Sequence, residues 1–302
     1  MDRPDHIRNP IEWGFDQIRL AALAVGSLGH SLRGSDESQS TPLPAIRRIQ
    51  AADLIDVLAR GLSDFEAYRS DVMFLCLIYP IVGVALVWLT FGYEMLPLVF
   101  PLAFGFALVG PVAAVGLYQM SRRREQGIPT SWADAFGAIR SPGFGAILVL
   151  GLVLLTILLL WLFTANWIYQ ITLGPEPPVS ISTFIRDVFT TSAGRRMIIV
   201  GLGVGVLFAF LVLAISVVSF PLLLDRDVGL DLAVWTSIRV VAANPGPMLL
   251  WGLIVAGSLL IGSIPAFLGL VFVLPVLGHA TWHLYRTVVE PSPPRSAVVS
   301  GP

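Results

Sequence analysis

"FGAILVLGLVLLTILLLWLFTANWI", Phe144–Ile168, runs for 25 residues without a charged side chain. About 20 apolar residues suffice for a helix to cross a hydrocarbon core of about 30 Å. In lipid each backbone N–H and C=O must find its partner inside the segment, which favours an α-helix. This stretch therefore reads as a transmembrane helix. Five more runs have the same character: Val72–Phe91, Met95–Met120, Met197–Leu224, Pro247–Ile264 and Pro265–Tyr285. The last two meet at "GSIP", Gly262–Pro265, where a hairpin is expected. The fold class that follows is all-α: a polytopic bundle of six transmembrane helices.

Composition agrees. Of 302 residues, 55% are hydrophobic and 13% charged, and mean hydropathy is +0.79. Soluble chains carry about 25% charged residues, so this one needs lipid to dissolve. A formal net charge of -1 gives no electrostatic case for nucleic acid as a partner. All 19 basic residues are Arg. Without a Lys there is no Walker A phosphate loop and no Schiff-base chemistry. The single cysteine, Cys76, lies in an apolar run and can form no intramolecular disulfide.

The polar residues gather at one end. Residues 1–71 read as a cytoplasmic region of two amphipathic helices and a linker. Asn9 and Pro10 suit a helix start, and the apolar run Leu20–Leu28 is too short to span, so the first helix is expected on the membrane surface. "GSDESQSTPLP", Gly34–Pro44, has linker composition. In the second helix Leu54, Leu58, Leu62 and Phe65 recur at helical spacing, with Asp53, Asp56, Arg60 and Asp64 between them. Residues 72–286 form the membrane domain, and 287–302 a disordered cytoplasmic tail. "MDRPDHIRNPIEW" lacks the basic and apolar order of a cleaved signal peptide, so none is expected. Sixteen arginines then fall on the side of the N-terminus and three, Arg186, Arg195 and Arg196, on the other. That bias places both termini in the cytoplasm of a bacterial inner membrane.

A half-repeat runs through the loops. "SRRREQGIPTSWADAFGAIRSPG" and "DRDVGLDLAVWTSIRVVAANPG" each carry charges, a glycine, a short amphipathic helix, an Ile-Arg pair and a Pro-Gly before a new span. Pro142 and Pro245 push the preceding residue out of the helical region, breaking a surface helix from a membrane helix. Pro275 is a third expected break.

Five segments carry a resemblance: "RNPIEWGFDQIRLAALAVGS", "ADLIDVLARGLSDFEAYRSDVMFLCLIYP", "VFPLAFGFALVGPVAAVGLYQMSRRRE", "SFPLLLDRDVGL" and "VLPVLGHATWHLYR". Together they resemble, over nearly the whole chain, a family of bacterial, mostly alphaproteobacterial, integral membrane proteins defined by a domain of unknown function. The resemblance implies an inner-membrane location. Some members carry a label as cytochrome c oxidase subunits, which implies at most a respiratory association. A haem-copper catalytic subunit has six histidine ligands and a dozen spans; here two histidines fall within six spans.

Those histidines, His279 and His283, are the principal chemical candidates. At i,i+4 they share one helix face and can meet one ion, but they cannot ligate one haem from both sides. Cys76, with Met73 and Met120 at similar expected depth, would complete a soft copper site. No Asp or Glu lies inside a span. The plainer reading makes Trp282, His283, Tyr285 and Arg286 an interfacial belt, with His279 hydrogen-bonded in the bundle, its imidazole held by the carbonyl that Pro275 frees near Val271.

Other motifs read structurally. Gly201, Gly205 and Ala209 form a small-residue helix-packing face. Asp225, Arg226 and Asp227 sit at the mouth of the fourth span, within reach of Arg122, Arg123 and Arg124, as a charge cluster of little individual worth in solvent. Pro97, Pro101 and Pro111 make the second span breakable, as in transporters. No nucleophile elbow, zincin or paired-carboxylate pattern is present, so no catalytic residue is assigned. The expectation is a non-catalytic accessory, assembly or scaffold protein, contacting the lipid bilayer and other membrane subunits, with no cofactor. The alternatives are a small-solute transporter or channel, and a haem- or copper-binding respiratory subunit.

Overall fold

The computed structural model describes residues 43–68, 81, 83–85, 97–98, 101–102, 105, 110–265 and 267–291. The expected first amphipathic helix, most of the first and second spans, and Cys76 and Met73 lie outside the described residues. The rest is helical: α1 (Asp53–Ala67), α2 (Val115–Glu125), a 3-10 helix (Trp132–Arg140), α3 (Phe144–Thr172), α4 (Ile181–Thr190), α5 (Ser192–Ser216), α6 (Ser219–Asp225), α7 (Leu230–Ala243), α8 (Pro245–Ser263) and α9 (Leu270–Val288).

Three helices among the described residues are long and apolar enough to cross a membrane: α3, α5 carried through α6, and α8. They coincide with the expected third, fourth and fifth spans. The expected sixth span is α9, which is not among the three. Its apolar run ends at Leu277, and His279, Trp282, His283, Tyr285 and Arg286 crowd its second half. That half is covered by protein, for α1 packs along it and α2 against its side.

The α1–α9 crossing is set by size. A Cβ on Gly61 would lie 2.6 Å from the Ala280 backbone N, so only glycine allows this approach. The buried face of α1 is accordingly Leu54, Val57, Gly61, Asp64 and Phe65. This corrects the expected stripe: Leu58 is only half-buried and Leu62 is 46% exposed. Phe65 meets Phe272 edge-on at a ring separation of 6.2 Å. α1 also starts deliberately, the Gln50 N–H donating to Asp53 Oδ2 at 2.7 Å.

The expected fourth span is not one helix. α5 ends at Ser216 and α6 begins at Ser219. The cause is Pro221, whose ring excludes the carbonyl four residues earlier and which lacks an N–H. α7 bonds across the break: Val218 N–H points to Ser237 Oγ at 3.5 Å, and Ser219 Oγ donates to the Ala233 carbonyl at 3.1 Å. α6 is buried from Ser219 to Leu224, with Phe220, Leu222 and Leu223 at 0% exposure, and Gly143 packs directly on the Leu223 carbonyl.

Around α6 the two half-repeats follow one order. The 3-10 helix ends at Arg140 and α3 starts at Phe144, with Ser141, Pro142 and Gly143 between; α7 ends at Ala243 and α8 starts with Pro245 at its first position. Pro275 behaves otherwise. α9 runs through it without a break, a correction to the expected helix break. It is the sixth residue of the helix, where a missing N–H costs one bond near an already loose end.

Two features had no counterpart in the sequence reading. α4, between the third and fourth spans, is capped by Ser180 Oγ, which accepts from Thr183 N–H at 3.1 Å, and it turns Ile181, Ile185 and Phe189 outward. The C-terminal end is also fastened. Ile46 and Val289 form an antiparallel bridge, with Arg47 N–H donating to Val288 O at 2.9 Å and Glu290 N–H to Ala45 O at 3.0 Å. Thus Thr287 to Glu290, expected in a disordered tail, continue α9 and pair with residues 45–47.

Candidate functional site

Three helices meet at a buried polar cluster. α1 contributes Asp64, α2 contributes Ser121 and Arg124, and α9 contributes His279 and His283. Asp64 is 5% exposed, Ser121 1% and His279 0%. Ser121 Oγ donates to Asp64 Oδ2 at 2.6 Å and lies 2.7 Å from His279 Nδ1. His283 Nε2 lies 2.9 Å from the same Oδ2, and Arg124 Nη1 donates to Oδ1 at 2.5 Å.

Proton counting assigns the directions. A carboxylate only accepts, so His283 donates from Nε2. Ser121 has one proton, spent on Asp64, so His279 must donate from Nδ1 to Ser121 Oγ. His279 Nε2 is then left buried without a hydrogen bond. Burial alone would raise the Asp64 carboxyl above its ordinary 3.8, but the bonds from His283 and Ser121 and the charge of the two histidines outweigh it and hold it lower. Asp64 is therefore an anion enclosed by donors.

This arrangement is unlike a catalytic triad despite its composition. In a triad the imidazole accepts the serine proton and the carboxylate orients the imidazole. Here the serine proton points at the carboxylate, and the hydroxyl is closed off from any substrate.

The histidine pair is thus brought to a partner, Asp64, that the sequence did not pair with it. No Asp lies in an expected span, yet Asp64 arrives from α1, 219 residues away from His283. The carbonyl near Val271 is not the acceptor for His279; Ser121 is. His283 is not a wet interfacial residue, its side chain being 15% exposed and bound to Asp64. Met120 is fully buried beside Phe65 and Leu117. Among the described residues no group of three or more His, Cys, Asp or Glu is arranged to hold a metal ion.

A second layer closes the cluster toward solvent. Asp225 accepts from Tyr285 Oη at 2.7 Å and faces Arg122 at 3.4 Å and Arg286 at 3.7 Å. Glu125 accepts from Trp282 Nε1 at 3.1 Å and pairs with Arg286 at 2.9 Å. Each arginine of the "RRR" run takes its own carboxylate: Arg122 takes Asp225, Arg123 takes Asp134 at 3.3 Å, and Arg124 takes Asp64. Arg226 turns back onto the Glu290 carbonyl, while Asp227 is exposed and makes no ion pair among the described residues. Trp282, Tyr285 and Arg286, read as a lipid-facing belt, point instead into protein.

Asn244 anchors the stretch before α1. Its Oδ1 accepts from Ile49 N–H at 2.8 Å and its Nδ2 donates to the Arg47 carbonyl at 3.1 Å. At the proline-rich second span, the Pro101 carbonyl accepts from Trp161 Nε1 of α3 at 3.0 Å. The small-residue face is divided: a Cβ on Gly205 would meet Trp161 of α3 at 3.2 Å, a Cβ on Gly201 would meet nothing within 4 Å, and Ala209 is exposed.

Residues 99–225 match a family described as predicted integral membrane protein, DUF2189. Over this stretch, less than half of its length, the chain is similar to that family of predicted integral membrane proteins with a domain of unknown function. The match covers α2 through α6, and so Ser121, Arg122, Arg123, Arg124 and Asp225; Asp64, His279 and His283 lie beyond its ends. It is shorter than the near whole-chain resemblance read from the sequence. No curated protein matches the chain. No solved structure matches it either.

Proposed function

We propose that this protein is a non-catalytic accessory or scaffold subunit of a membrane complex, with six spans and both termini in the cytoplasm of a bacterial inner membrane. The observation that carries the reading is the outer surface of α5. Only 6% of the apolar window of this span is buried, and Ile199, Leu202, Val206, Leu207 and Phe210 stand outward beside the open Gly201. A glycine on an exposed span face lets another helix approach closely, which is how helices associate where lipid tails are as apolar as leucine.

The polar cluster supports the same reading. Asp64, Ser121, Arg124 and His283 are spent on one another, so they hold α1 to α2 and α9 and offer nothing to a substrate. Extraction from native membranes in mild detergent tests the proposal. The expected result is a defined complex of fixed stoichiometry that Gly201→Leu disperses while the protein stays folded, since that position has room. A clean monomer from wild-type membranes would overturn it.

A further inference from the structure

α7 is held at one membrane boundary by both ends. Just before it, Asp225 is tied to Arg122 and Tyr285; just after it, Asn244 is tied to Ile49 and Arg47, and the chain enters the span α8 at once. The helix buries Ala233, Thr236, Ser237, Val240 and Val241 against its neighbours α5 and α6. Outward it turns Asp231, Trp235 and Ala242, with Trp235 53% exposed.

Arg239 sits one turn beyond Trp235 on that side, half-buried. Its guanidinium forms no ion pair among the described residues, and Nη1 is shut away from solvent without an acceptor. Asp231 is on the same stripe but about 12 Å away along the axis, too far to compensate it. A charge half withdrawn from water and left unpaired is costly. The acceptor available at a membrane boundary, and matched to a planar fork of donors, is a phosphate. An exposed tryptophan beside it fits the same level of the bilayer, where indoles settle among headgroups. Arg140 takes the corresponding place in the other half-repeat, exposed at the end of the 3-10 helix before Pro142 and α3.

We propose that Trp235 and Arg239 form a docking site for the phosphate of an anionic phospholipid in the leaflet against which α7 lies. The ring packs beside the glycerol backbone and the guanidinium binds the phosphodiester. The site needs only that the chain be embedded in a membrane and is independent of the scaffold reading.

Native mass spectrometry of the full-length protein, extracted from vesicles of phosphatidylcholine mixed with phosphatidylglycerol, tests this. Wild type is expected to retain phosphatidylglycerol over phosphatidylcholine, Arg239→Gln to lower that preference about tenfold, and Arg239→Lys to keep part of it, as a point charge without the fork. Equal preference in wild type and Arg239→Gln overturns the proposal. So does retention of added inorganic phosphate in place of lipid, which would mark a site for the free anion. Should Arg239→Gln fail to fold, Trp235→Ala carries the test from an exposed position: a severalfold loss of preference is expected, and an unchanged one overturns it.

Discussion

Ser121 donates its hydroxyl proton to Asp64 across 2.6 Å, joining the second half of α2 to the C-terminal half of α1. Through this contact α1 is tied to α2 as well as to α9. Replacing Asp64 by Ala would leave Arg124, His283 and Ser121 facing an empty, buried space. Breaking a buried ionic network from one side costs about 3–5 kcal/mol. The midpoint of thermal or denaturant unfolding in detergent should fall accordingly, and Ser121→Ala should cost a smaller amount, about 1–3 kcal/mol. A wild-type midpoint for Asp64→Ala would show that the cluster holds nothing.

Acid should loosen α1 selectively. Burial alone would raise the Asp64 carboxyl, but the hydrogen bonds from His283 and Ser121 and the charges of His283 and His279 hold it below its ordinary 3.8 in the folded protein. A depressed folded value means that its contribution is fully present above the unfolded value and is lost as pH falls through the folded one. Between neutral pH and about pH 4 Asp64 should leave stability unchanged, and below that stability should drop. The same titration of Asp64→Asn, folded under the same conditions, should show a shallower acid limb.

Gly61 and Gly201 make an opposed pair of substitutions. Gly61→Ala places a methyl against the Ala280 backbone at 2.6 Å, so the helices must separate at an expected cost of about 1–3 kcal/mol. Gly201→Ala meets open space and should be neutral or stabilising by a few tenths of a kcal/mol, because alanine suits a helix better. Thermal unfolding of the two variants side by side checks both signs at once.

Asn244 should control access to the segment ahead of α1. Removing its side chain frees Ile49 N–H and the Arg47 carbonyl together. In Asn244→Ala, limited proteolysis near Arg47 and Arg48 should speed up several-fold, corresponding to about 1 kcal/mol of local opening. Cleavage at the wild-type rate would place the hold elsewhere, on the Ile46–Val289 bridge.

The histidines should be structural. Purified protein is expected to be colourless, with metal content that does not change on His279→Ala, while the unfolding midpoint of that variant falls. Visible absorbance or bound copper lost with His279 would reverse this reading and bring the Cys76 region into question.

Sequence periodicity reaches as far as the next turn of a helix, and what it reveals here is local. The uncharged run Phe144–Ile168 had to cross lipid because nothing else satisfies its backbone in hydrocarbon. Pro142 and Pro245 stand where the 3-10 helix gives way to α3 and α7 to α8, because proline constrains the residue before it. Pro275 is equally plain in sequence and yet breaks nothing, since its effect depends on where the helix begins. The Pro221 break was legible in principle, from a proline deep in an apolar run, but the length of that run suggested one continuous span. α4 was hidden among the polar residues of a loop, its outward Ile181, Ile185 and Phe189 being the available signal.

By itself, then, the chain's sequence determined that it lives in a membrane, where its central spans start, and which end carries its charge. Only the tertiary structure decided what the charges do. Asp64 looked like one of several acids on an amphipathic helix, and His279 and His283 like a pair awaiting a ligand. Ser121, 57 residues from one and 158 from the other, joins them, and no periodicity spans such separations. Their meeting depends on Gly61 lacking a side chain where Ala280 crosses it, a contact of shape and not of pattern.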